Sequence, residues 1–79
     1  MPTLFDLFGF KFLFYSNEHN PIHVHVKRGN AKAKFQLFPV LLMENEGMKP
    51  SEIRMAERVI REKQEYIAEK WNEYFNKGK

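Results

Sequence analysis

His23 to Gln36 reads HVHVKRGNAKAKFQ, and the way this stretch pairs with itself decides the fold. Gly29 and Asn30 both tolerate positive φ and suit a two-residue hairpin loop. Folding about them sets Lys27 opposite Lys32, Val26 opposite Ala33, His25 opposite Lys34, Val24 opposite Phe35 and His23 opposite Gln36. Every apolar residue then meets an apolar one and every polar residue a polar one. A slip of one residue would turn one strand over and mix the faces. The register predicts an antiparallel hairpin with one apolar face. The other face carries His23, His25, Lys27, Lys32, Lys34 and Gln36.

Upstream, LFDLFGFKFLFY is rich in strand-favouring aromatics. Gly9 offers a turn between strands over Leu4–Leu7 and Phe10–Tyr15. In the second strand Phe10, Phe12 and Phe14 share a face, and Lys11, Leu13 and Tyr15 share the other. The cluster SNEHNP then marks a turn. Downstream, Pro39 cannot donate to a ladder, so Val40–Met43 reads as a short edge strand. From Pro50 the apolar period lengthens: Ile53, Ala56, Ile60, Ile67, Trp71 and Tyr74 form a helical stripe, weakest at Lys63-Gln64 and closed by Gly78. Its charged residues read as a solvated face with i,i+4 pairs.

A straight helix from Pro50 to Asn76 would be about 40 Å long at 1.5 Å per residue. A compact domain of this size is only about 30 Å across. The helix must therefore overhang, bend near Lys63, or pack against a second copy as a homodimer. The expected architecture is an α+β domain spanning 1–79. An antiparallel sheet of four or five strands within residues 3–43 lays its Phe-rich face on one long C-terminal helix, about 50–76.

With 79 residues the chain lies near the lower limit for a core without staples. It has no cysteine, which excludes disulfides and thiolate metal sites and suits a cytoplasmic setting. Eight Phe, three Tyr and one Trp supply the core instead. No apolar run approaches a membrane span, and the opening MPTLFDLFGF lacks the basic start of a signal peptide. The net charge of +3 permits an acidic partner without requiring one.

All three histidines fall between His19 and His25, followed through Gln36 by Lys27, Arg28, Lys32 and Lys34 and no carboxylate. Two chemistries fit. His23 and His25 at i and i+2 on a strand could chelate a transition metal such as zinc, with His19 or Glu18 as a third ligand. Alternatively, a neutral His as base, a protonated His as acid and nearby cations on a phosphate make a metal-independent ribonuclease set, with Tyr15 adding a hydroxyl or a stacking ring. RNA binding without cleavage needs the same groups. The structural alternative is that His19 fixes a turn while His23 and His25 bond neighbours on a half-wet face. The HVHV run is not a nucleotide-hydrolase triad, since the third position holds Lys27.

The segments MPT, GFKFLFYSNEHNPIHVHV and EKWNEYF together resemble a family of small bacterial proteins termed domain of unknown function family 4160. The family pattern D/E-H-x-P-P-H-x-H is matched with Ile22 in place of the second proline. The resemblance implies Glu18, His19, Asn20, Pro21, His23 and His25 as signature positions, and one half of a two-gene pair of the toxin–antitoxin type. It supplies no chemistry.

The combined expectation is a toxin–antitoxin component whose basic, histidine-bearing sheet face binds RNA or an acidic protein encoded by a neighbouring gene. His19, His23 and His25 are the catalytic candidates. Tyr15, Glu18, Lys27, Arg28, Lys32 and Lys34 are the binding candidates. No cofactor is expected; the alternative is a zinc or other transition-metal protein. Lys34 opposite His25 and Lys27 opposite Lys32 are like-charge pairs that cost a hairpin stability. On that ground His25→Ala and Lys34→Ala are expected to leave stability unchanged or improved.

Overall fold

The computed structural model describes residues 3–14 and 22–75. Five strands form a sheet in the order β1 (Thr3–Leu7), β2 (Phe10–Leu13), β3 (His23–Arg28), β4 (Ala31–Gln36) and β5 (Leu41–Glu46). Each is antiparallel to its neighbours, so the sheet is a meander with β1 and β5 at its edges. Two helices follow, α1 (Pro50–Glu62) and α2 (Gln64–Phe75). The fold is α+β, and the expected turn from Ser16 to Pro21 lies outside the described residues.

The central hairpin adopts the register expected from its sequence, from His23↔Gln36 to Lys27↔Lys32, and continues to Arg28↔Ala31. Val24, Val26 and Phe35 are fully buried. Phe10, Phe12 and Phe14 are buried on the same face of the sheet. Alternation therefore does here what it does in any half-covered sheet: it assigns one face to the core. Leu37 N–H donates to Ile22 C=O at 3.0 Å and extends the hairpin beyond its last pair.

Two helices replace the single long one. The chain breaks at Lys63, whose φ of −105° and ψ of 17° leave the helical region. The backbone still carries through, with Lys63 N–H on Val59 C=O and Ile67 N–H on Lys63 C=O, both 2.9 Å. Just past the break the Gln64 amide donates to Leu37 C=O at 2.6 Å, tying the start of α2 to the end of the hairpin. The bend, one of the three resolutions the length argument allowed, lets both halves of the stripe face the core except at its end, where Tyr74 is exposed and Phe75 packs against the core instead. Ala56, Val59 and Ile60 of α1 and Ile67 and Trp71 of α2 all join the cluster built on the Phe-rich sheet face. At the start of α1, Pro50 occupies a first-turn position where no N–H is required, and Glu52 accepts from Lys49 N–H at 2.9 Å.

The edge strand β5 is longer than its sequence suggests. It runs to Glu46, beyond the expected end at Met43, and stops at Gly47, whose φ is 93°. What extends it is a long-range pairing: Glu44 lies opposite Lys34 and Glu46 opposite Lys32. A register shift between Lys34 and Phe35 leaves Met43 as an extra residue. Among the described residues no helix is long and apolar enough to cross a membrane.

Candidate functional site

Strand pairing sorts the side chains of the sheet face opposite the helices into rows. Directly opposed residues in antiparallel strands point to the same side, so each ladder can be followed across the sheet. One row reads Asp6, Lys11, Lys27, Lys32, Glu46 across all five strands. The next reads Thr3, Leu13, His25, Lys34, Glu44. His23 and Gln36 begin a third. Neighbouring strands are about 4.8 Å apart, so the three lysines of the first row span about 10 Å. They form a cationic centre with a carboxylate at each edge of the sheet.

The carboxylates are close enough to matter. Lys34 Nζ lies 3.3 Å from a Glu44 oxygen, and Lys32 Nζ lies 3.9 Å from a Glu46 oxygen. For Lys34 the like-charge cost expected from the hairpin alone is thus offset by the fifth strand, while the longer and more exposed Lys32 pair offsets little of the Lys27–Lys32 opposition. A cleft of about 80 Å³ lies among His25, Lys32, Glu44 and Glu46. At about 30 Å³ per water it holds a few waters and no base or nucleotide. Any larger ligand must lie across the face. A larger groove, about 590 Å³, lies elsewhere, between β1 and α2, and is lined by neither histidine.

His23 and His25 are half-buried, with ring centroids 5.6 Å apart in an edge-to-face arrangement. The His23 ring also stands 5.7 Å from the indole of Trp71, a buried residue of α2. Strand parity puts His23 on the outer face, but it is the first residue of β3, and the twist of the sheet brings that end to the rim that α2 covers. Leu13, opposite His25 on the same outer face, is also buried. This end of the face is therefore less open than alternation alone implies.

The site residues expected from sequence divide into three groups. His23, His25, Lys27, Lys32 and Lys34 share the face. Arg28 does not: it has the parity of Val24 and Val26 and turns to the helix side. There it meets Glu52 at 3.3 Å, donates to Phe8 C=O at 3.2 Å and covers the Phe10 ring at 5.1 Å. Tyr15, Glu18, His19, Asn20 and Pro21 lie outside the described residues. Lys11, Glu44 and Glu46 belong to the face although hairpin reasoning passed them over. Lys11 was legible in its parity with Leu13, while the two glutamates needed the β4–β5 pairing. Among the described residues no three His, Cys, Asp or Glu side chains are grouped to hold a metal ion.

Residues 9–72 match the model of a family described as a domain of unknown function (DUF4160), a span that runs from the β1–β2 turn into α2 and omits β1. No curated protein and no solved structure matches.

Proposed function

The chain belongs to the DUF4160 family, and from that premise we propose that it is the binding component of a toxin–antitoxin-type pair, whose outer sheet face receives single-stranded RNA. The observation that carries this reading is the Lys11–Lys27–Lys32 row. Three cations set side by side across three strands repel one another, and a sheet selected for stability alone would alternate their signs. An array of phosphates relieves that repulsion on binding. His23 and His25, half-buried at the end of the face, offer imidazole edges and planes to bases that an extended strand would present. Lys34 stands between them and the Glu44 carboxylate. The role places the protein in the cytoplasm beside the product of a neighbouring gene.

Fluorescence anisotropy with a labelled single-stranded RNA of about ten nucleotides tests the proposal. Binding should weaken steeply with salt and should fall in Lys27→Ala and Lys32→Ala while folding is retained. Binding that is absent, or indifferent to these lysines, refutes it; an acidic partner protein captured through the same lysines would then be the better account. Following the RNA by gel in the presence of a chelator separates binding from cleavage. If His23 and His25 act as base and acid, product forms without a metal and stops in either His→Ala variant.

The second reading, a transition-metal site on His23 and His25, is supported by the 5.6 Å separation of the two rings. It requires His19, or another ligand, to complete the set. Elemental analysis of tag-free protein decides it: near-stoichiometric zinc, nickel, copper or iron supports the metal reading.

A further inference from the structure

We infer that the outer edge of β5 is a docking site for an extended segment of a partner protein, one that carries cations next to an apolar run and adds itself to the sheet as a sixth strand. This site adjoins the sheet face proposed for RNA, with which it shares Glu44 and Glu46, and does not depend on that proposal.

The edge is unusual in what it leaves open. All six residues of β5 are exposed. Leu41, Leu42 and Met43 are consecutive large hydrophobics, 54%, 44% and 45% exposed, and Phe38 just before them is 54% exposed. Leu41 pairs with Gln36 on the outer face and Leu42 with the buried Phe35, so the apolar residues straddle the edge and lie on both sides of it. A flat surface could cover one side only. Among the described residues no strand lies beyond β5, so its outer row of N–H and C=O groups also faces away from the sheet. With Met43 left as the extra residue, as it is against β4, the backbone donors and acceptors on either side of it are matched by another extended chain.

The charge pattern tells which chain. Glu44 and Glu46 point to the same side at alternate positions, with carboxylates about 60% exposed despite their lysines on β4. An added strand should place Lys or Arg opposite them and apolar residues opposite Leu41–Met43. A second copy of this chain cannot do so from either of its edges. The bulge at Met43 sets Leu42 and Glu44 on opposite faces and breaks any continuous two-fold pairing centred there, and centring on Leu42 carries Glu44 and Glu46 toward Val40 and Phe38. Centring on Glu44 or Asn45 brings carboxylates opposite one another. The other edge, β1, offers Asp6 and no cation. Neither edge strand of a second copy carries a cation, so the occupant proposed is a different protein.

Two synthetic peptides test this with the full chain. With Met43 left as the extra residue, acetyl-Lys-Thr-Lys-Val-Ile-Val-amide runs antiparallel to β5 and sets its two Lys opposite Glu46 and Glu44 and its Val-Ile opposite Leu42 and Leu41; its counterpart has Glu in place of both Lys. Because the chain is net positive, non-specific attraction would favour the Glu peptide. The proposal expects the reverse: the Lys peptide binds about tenfold or more tighter, and amide exchange slows within Leu41–Glu46. Met43→Lys should abolish binding without lowering the melting temperature. Glu46→Lys, whose lost ion pair is long and exposed, should erase the preference between peptides and serves if the first variant folds poorly. No binding of the Lys peptide, equal or better binding of the Glu peptide, or protection that maps elsewhere overturns the proposal. Concentration-dependent self-association that protects β5 in the absence of peptide also overturns it, in favour of a second copy.

Discussion

The imidazole of His23 stands 5.7 Å from the indole of Trp71, which in turn meets Phe14 edge-to-face at 5.1 Å. One contact thus joins the candidate site to the core beneath α2. Trp71 is the chain's only tryptophan, so its emission reports on both. Trp71→Ala should cost about 3–5 kcal/mol, as loss of a large buried aromatic does. A chain of this size has about 4–12 kcal/mol in all, so the variant should melt far below the parent. If RNA binds at this rim, it should change Trp71 emission in the parent, and His23→Ala should keep the fold but remove that change. An emission change that persists in His23→Ala would mean that RNA binds away from this rim.

The Lys34–Glu44 pair reverses a sign expected from the sequence. With only His25 in view, Lys34→Ala is expected to relieve repulsion. With Glu44 at 3.3 Å it removes an attraction instead. Lys34 is mostly shielded and Glu44 mostly exposed, so the coupling falls in the ordinary range of about 0.2–1 kcal/mol for partly solvated pairs. A double-mutant cycle by chemical denaturation should find that coupling and see it shrink in high salt. The 3.9 Å Lys32–Glu46 pair should give less. A cycle that sums to zero for Lys34 and Glu44 would restore the original expectation.

Phe8 holds a backbone conformation that its side chain does not favour. Its φ is 55° and that of Gly9 is 81°, the pattern of a two-residue hairpin turn that prefers Asn-Gly. For a bulky residue this region costs about 1–2 kcal/mol. Phe8 is 63% exposed and recovers little of that by burial. Phe8→Asn should therefore stabilise the protein by about 1 kcal/mol, a rise of about 4–8 °C in Tm. An unchanged or lower Tm would show that the ring contributes more packing than its exposure suggests.

The parts of the fold that could be read from sequence are those governed by local period. The β3–β4 register follows from alternation about Gly29-Asn30, and the burial of Phe10, Phe12 and Phe14 follows from the same rule. The helical stripe from Pro50 was legible, and so was its weak turn at Lys63. What local pattern could not supply was the long-range company of each residue. Glu44 and Glu46 look like a polar turn until Lys34 and Lys32 are placed opposite them. Arg28 looked like part of a basic cluster because it is adjacent to Lys27, yet parity alone puts it on the other face. His23 needed the path of α2, which no periodicity in its own strand contains.

Lys11 provides the sharpest test of the lysine row. It lies between Asp6 and Lys27 on neighbouring strands, and Lys27 lies between it and Lys32. Lys11→Thr exchanges a cation for a residue that strands favour and removes one like-charge opposition, to Lys27, together with one opposite-charge pairing, to Asp6. If the row were there for stability, that change would be neutral or harmful. If it is there to meet phosphates, RNA affinity should fall while stability rises by a few tenths of a kcal/mol at most. The salt dependence discriminates further. Each phosphate contact on a single strand contributes about 0.7 to the slope of log K against log salt. Lys11→Thr should therefore flatten that slope by about one contact's worth, and do so equally for RNAs of different sequence, because a phosphate contact carries no base information. A stability gain with an unchanged slope would place Lys11 outside the binding surface. A loss of affinity confined to one RNA sequence would move it from the phosphates to the bases.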